Sequence, residues 1–130
     1  MDGDIKKMNY NKNIVLDILR SNFWDEIEKF VMDYVLDLEN DELIEVFETL
    51  VDYAMLDYIE EMSVDCYEVE QEENKKNISG VLDVVANIDG YAHWDGEGNL
   101  IDDGEIEIGI GFRFYEEEEE YFDIVLEHLY

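Results

Sequence analysis

The chain has 130 residues, is 47% apolar and 13% aromatic, and sets 8 Lys and Arg against 37 Asp and Glu for a formal net charge of −29. Its length suits one domain and one core, and its aromatics exclude a disordered acidic tail. Direct binding of nucleic acid is excluded as well, because that needs clustered cations, and Lys6, Lys7, Lys12, Arg20, Lys29, Lys75, Lys76 and Arg113 are scattered.

In chain order, Asn13–Arg20 reads as a short first helix, and Ser21-Asn22 offers a cap for a second. Trp24, Ile27, Val31, Tyr34, Val35 and Leu38 follow helical spacing, which predicts an amphipathic helix over Trp24–Leu38. Asn40-Asp41 caps a third helix. There Leu43, Val46, Phe47, Leu50, Ala54 and Tyr58 keep the period as far as Met62, with Glu42, Glu45, Glu48 and Asp52 opposite. Val64–Glu70 reads as a short strand and Gln71–Asn77 as a loop.

From Ile78 to Trp94 the alternation is long, with Gly90 marking a bulge. Asp95–Gly104 reads as a hairpin loop, and Ile106, Ile108, Ile110, Phe112 and Phe114 form one face of the next strand. Glu116–Glu120 is expected as an exposed connection to a last strand over Tyr121–Leu129. The expected fold is α+β: about three N-terminal helices packed on a C-terminal antiparallel β-meander of three to four strands. One domain spans 1–130, with its helical part at 13–62 and its sheet part at 64–130.

Motifs for chemistry are absent. Asp95-Gly96-Glu97-Gly98-Asn99 begins like a calcium loop, but the sixth and twelfth positions are Leu100 and Ile106 rather than Gly and Glu. His93, His128 and Cys66 lack zinc spacing and read as two strand-edge histidines and a small buried thiol. With 37 carboxylates, pairs of acids arise by chance and carry no signal for acid–base catalysis. Gly109-x-Gly111 lies within a strand pattern and reads as a flat or close-packed stripe on the outer sheet face, not a phosphate cradle. The reading is therefore no enzyme, no cofactor and no metal. No signal-peptide pattern opens the chain and no apolar run is long enough to span a membrane, so a cytoplasmic protein is expected.

That leaves the acids. A compact chain of this length is roughly 36 Å across, and duplex DNA carries on the order of twenty charges over that length. The folded protein therefore matches or exceeds the charge density of a duplex. Acids three or four residues apart on a helix lie about 5–6 Å apart, as expected of Glu45, Glu48 and Asp52, with Glu26, Asp33 and Asp37 as another such row. Acids two apart on a strand lie roughly 6.6–6.8 Å apart, as expected of Glu105 and Glu107. The expected partner-binding residues are Glu45, Glu48, Asp52, Asp102, Asp103, Glu105, Glu107, Glu116, Glu117, Glu118, Glu119 and Glu120. Tyr67, Tyr91, Tyr115 and Tyr121 lie near acids and are expected to anchor interfaces.

In size, in its acid-studded helices such as Asp41-Glu42-Leu43-Ile44-Glu45-Val46-Phe47-Glu48, and in its Glu116–Glu120 run, the chain resembles the small acidic DNA-mimic inhibitors of phages and mobile elements. That group includes anti-restriction and anti-CRISPR proteins. The resemblance implies an inhibitor that occupies the nucleic-acid channel of a basic protein or ribonucleoprotein of a host defence system, in the bacterial cytoplasm, with no membrane partner. The alternatives are an immunity protein for a basic nuclease toxin and an assembly chaperone for a basic subunit. High-salt adaptation fits the six lysines and many isoleucines poorly. Self-association through a sheet edge or aromatic patch is left open.

Overall fold

A computed structural model describes residues 10–47, 49–94 and 97–130, with side chains described except at positions 93, 94, 97 and 98. Asn11 stands in extended backbone, and its side-chain oxygen accepts the Ile14 N–H at 2.8 Å, capping α1 (Lys12–Asn22). Val15, Ile18 and Leu19 form its buried stripe. Ser21-Asn22 closes this helix rather than capping the next: the Asn22 side-chain amide donates to the Ile18 carbonyl at 3.0 Å. After Phe23, α2 (Trp24–Leu36) starts without a side-chain cap, and Ile27, Val31 and Val35 are buried along it. α3 (Asn40–Phe47) begins with one half of a capping box, in which Glu42 Oε1 accepts the Glu39 N–H at 3.0 Å.

α3 ends at Phe47, well before Met62, and residues expected in that helix belong to β1 (Tyr53–Glu72). β2 (Lys75–Trp94), β3 (Glu97–Glu117) and β4 (Glu120–His128) complete an antiparallel sheet in the order β1-β2-β3-β4. The fold class is the expected one: helices first, then an antiparallel meander.

The pairing of β1 explains its helix-like sequence. Its register with β2 shifts between Leu56 and Tyr58, between Ile59 and Glu61, and between Val64 and Cys66. Each shift inserts one extra residue, namely Asp57, Glu60 or Asp65. The residues facing the helices, Ala54, Leu56, Ile59, Met62, Val64 and Tyr67, are therefore spaced by two or three. A strand spaced by threes imitates the 3.6-residue period.

Connections are shorter than expected. The loop over Gln71–Asn77 shrinks to a turn at Glu73 and Asn74. Of the expected Asp95–Gly104 loop, Glu97 onward is β3; Asp95 and Gly96, the first two residues of the calcium-like segment, lie outside the described residues. Gly90 does sit at a register shift, opposite Asp102. The Glu116–Glu120 run is a tight hairpin: Glu116 and Glu117 end β3, Glu120 opens β4, and only Glu118 and Glu119 form the turn.

The core lies between the helices and one sheet face. Ile78, Leu82, Val84, Ala86 and Ile88 from β2 and Ile108, Ile110, Phe112 and Phe114 from β3 pack with the helical stripes. Phe23 meets Phe114 with ring centroids 5.3 Å apart. Among the described residues no polar or charged side chain is buried, so their acids all lie at or near the surface. No helix of the described residues is long and apolar enough to cross a membrane.

Candidate functional site

The alternation that buries one sheet face sets the other toward solvent, and acids fill one half of it. On β2, Asp83 and Asp89 alternate with the buried Leu82, Val84 and Ile88. On β3, Asp103, Glu105 and Glu107 alternate with Gly104, Ile106 and Ile108. Strand pairing sets Asp103 directly opposite Asp89, and Glu61 of β1 and Glu107 of β3 on either side of Val85. The β1 bulges add Asp57, Glu60 and Asp65. Like charges directly opposite on neighbouring strands repel, so this half of the face works against folding.

The protonation of its members carries that repulsion. Asp89 is raised above the usual carboxylate range by partial burial and then by the charges of Asp57 and Asp103. Glu105 is raised first by a side-chain hydrogen bond with Glu60, then by the charges of Glu60, Glu61 and Glu107. Among the described residues no basic side chain forms an ion pair in this half. Arg20 lines a groove beside β1 with Glu60 and Glu61.

The rest of the outer face differs. Its middle is lined by Ser79, Val81, Gly111, Arg113 and Val125. Leu129 and Tyr130 fold over Gly111 and Gly109, and the Tyr130 hydroxyl donates to Asp83. The glycine stripe expected to be close-packed is thus covered by the chain's own last residues. Beyond it, Tyr115 stacks with Phe122 at 5.9 Å and carries Lys75 over its ring at 4.2 Å.

The expected partner-binding acids are dispersed over the fold. Asp103, Glu105 and Glu107 lie in the acidic half-face. Glu45 is exposed on α3, on the helix side, and Asp52 lies beyond the end of that helix, so the expected helical row does not form. Glu48 lies outside the described residues. Asp102 is half-buried opposite Gly90, with its side chain turned to the Asp103 N–H at 2.9 Å. Glu116, Glu117, Glu118, Glu119 and Glu120 sit at the far hairpin tip. Ten residues of strand separate Glu107 from Glu117, about 33 Å. Glu116 faces inward beside Lys76 (4.0 Å).

Four tyrosines expected at interfaces also divide. Tyr67 turns inward and donates to the Tyr10 carbonyl at 2.7 Å, and Tyr121 packs edge-on against Phe114. Tyr91 stacks on Tyr53 at 5.2 Å, and Tyr115 stays on the outer face. Cys66, expected to be buried, is exposed, because the bulge at Asp65 turns it outward. His128 packs on Tyr34 with ring centroids 4.6 Å apart, and the side chain of His93 lies outside the described residues.

Sequence reading missed Asp57, Glu60, Glu61, Asp65, Asp83 and Asp89 as members of the site. The signal that could have found the four on β1 is the acid at each three-residue gap of that strand, and Asp83 and Asp89 alternate with the apolar residues of β2. The chain is thus an α+β protein with one sheet face packed on helices and half of the other loaded with carboxylates. No protein-family model, curated protein or solved structure matches it.

Proposed function

We propose that this protein is an acidic inhibitor that mimics nucleic acid and occupies the nucleic-acid-binding surface of a basic protein, in the manner of phage anti-defence proteins. One observation carries the reading. Carboxylates from three strands are held side by side on one sheet face, where Asp89 is raised by burial and then by the charges of Asp57 and Asp103, and Glu105 by its hydrogen bond with Glu60 and then by neighbouring charges. A surface kept only for solubility would intersperse charges of both signs. Acids two apart on β3 repeat at roughly 6.6–6.8 Å and those on adjacent strands at about 4.8 Å, a dense anionic lattice with the character of a polyphosphate. Steering by such a field makes association fast and salt-sensitive.

The test is competition. A basic DNA-binding protein captured from the source cell is titrated with labelled duplex in the presence of this protein. Displacement of the duplex, weakened at least tenfold by the combined Glu61→Lys, Glu105→Lys and Glu107→Lys substitutions but not by Glu45→Lys, is the expected result. Equal inhibition by both variants would reject the sheet face, and binding without displacement of nucleic acid would reject mimicry. If the captured protein is a nuclease toxin encoded beside this chain, the same surface serves as its immunity device.

A further inference from the structure

β3 is much longer than β4, and this leaves part of its edge open. Pairing with β4 runs from Ile110↔His128 to Glu117↔Glu120, and Leu129 and Tyr130 extend it only to Gly109. Gly109 turns its main chain to that side: its N–H donates to the Tyr130 carbonyl at 2.9 Å, and its carbonyl accepts the Leu129 N–H at 2.8 Å. In an antiparallel ladder alternate residues direct their main-chain groups to alternate sides, and β3 runs without a register shift from Asp102 to Ile110 against β2. Glu107, Glu105 and Asp103 therefore point their N–H and C=O groups to the same open side as Gly109. Among the described residues no other strand pairs there. The Asp103 N–H is held by the Asp102 carboxylate, a local contact that an incoming carbonyl can replace.

The same three residues hold their carboxylates on the outer face, so edge and charge coincide. An unpaired strand edge is a template for an added strand. Two occupants compete for it. A second copy of this chain would bring Asp103, Glu105 and Glu107 against their own equivalents, like charges directly opposite. A basic strand would set its cations there instead, while its intervening side chains fell on the inner side beside Ile106 and Val46, both half-buried.

We propose that the β3 edge at Asp103–Glu107 captures an extended basic segment of the partner as an added strand, with Lys or Arg at alternate positions facing these carboxylates and apolar residues between. The proposal takes from the functional reading only the sign of the partner's charge. It predicts how the partner is held, by main-chain hydrogen bonds as well as by charge.

The probe is a synthetic peptide of four alternating Lys-Val pairs, followed by fluorescence anisotropy and amide hydrogen exchange on the whole protein. Expected are binding, exchange at the Glu105 and Glu107 amides slowed at least tenfold, and at least tenfold weaker binding of a peptide N-methylated at alternate amides along one edge. Equal affinity of both peptides with unchanged exchange at these amides would overturn the added strand while leaving charge-based mimicry intact. No binding of the peptide overturns it too, whatever the duplex-competition result. Concentration-dependent dimerisation that protects the same amides without peptide would assign the edge to a second copy, and also overturns the proposal.

Discussion

The Tyr130 hydroxyl donates a hydrogen bond to the Asp83 carboxylate, so the last residue of the chain is fastened to the middle of β2 across the top of β3. Its ring lies where Gly109 has no side chain, and a Cβ at Gly109 would collide with it. The clasp borders the acidic half-face: the Tyr130 hydroxyl is raised to about 12 by the Asp83 hydrogen bond first, then by burial and the charges of Asp83, Asp65 and Glu107.

Tyr130 is therefore expected to ionise late, at about 12, in a spectrophotometric tyrosine titration. Tyr10 is also raised to about 12, first by burial and then by the Glu116 charge, so two tyrosines ionise late and Tyr130→Phe should remove one of the two late steps. The phenol's folded value is raised, so the stability it contributes is fully present below pH 10 and lost as pH climbs through about 12. Gly109→Ala should displace the ring, return the Tyr130 step alone toward the ordinary tyrosine range, and destabilise the fold by about 1–3 kcal/mol in urea denaturation.

Lowering the pH from neutral should stabilise this protein through its acidic half-face, opposite to ordinary acid denaturation. Asp89 and Glu105 bind protons more readily folded than unfolded, where their ordinary values are 3.8 and 4.5. Their destabilising effect is complete above the raised folded values. It disappears as pH falls through them toward those ordinary values. Urea midpoints at low ionic strength should rise as pH falls from 7 toward the ordinary carboxylate values, and added salt at pH 7 should raise them as well, by screening. Asp89→Asn should add about 0.5 kcal/mol at pH 7, by removing a directly opposed pair of like charges.

At the β3–β4 turn, Glu118 and Glu119 have φ of 53° and 66°, the left-handed conformation that Asn and Gly adopt most easily. Replacing them with Asn and Gly should stabilise the fold by about 1–2 kcal/mol. Thermal or urea denaturation measures it directly, and an unchanged midpoint would show that the native turn carries no strain.

The bulges of β1 make an unusual deletion tolerable. Removing Glu60 leaves Ile59↔Ala86 and Glu61↔Val85 in register and only closes a bulge. Removing Ser63 instead sets Val64 opposite Asp83 on the outer face and drives Asp65 into the core opposite Leu82. Circular dichroism with thermal melts should find the first deletion folded, and the second unfolded or at least 3 kcal/mol less stable.

These same features set how much could be read in advance. β2 and β3 were legible because Ile78–Ile88 and Ile106–Phe114 alternate without interruption along the buried face. β1 was not, because Asp57, Glu60 and Asp65 lengthen its apolar spacing into a helical period while costing only a local bulge. The glutamate hairpin was not, because its turn lacks the Asn and Gly that such a turn demands. Of the expected acids, Asp103, Glu105 and Glu107 share a surface, since strand alternation alone places them on one side.

Charge count and the order of helices before strands belong to the sequence itself, because net charge is a sum over residues and apolar period is local. Which carboxylates stand next to each other is another matter. Glu60 meets Glu105, and Asp89 meets Asp103, only through a strand register set by buried side chains and shifted by bulges. Tertiary structure alone turned a uniform acidic excess into a crowded half-face beside an open stretch of the β3 edge.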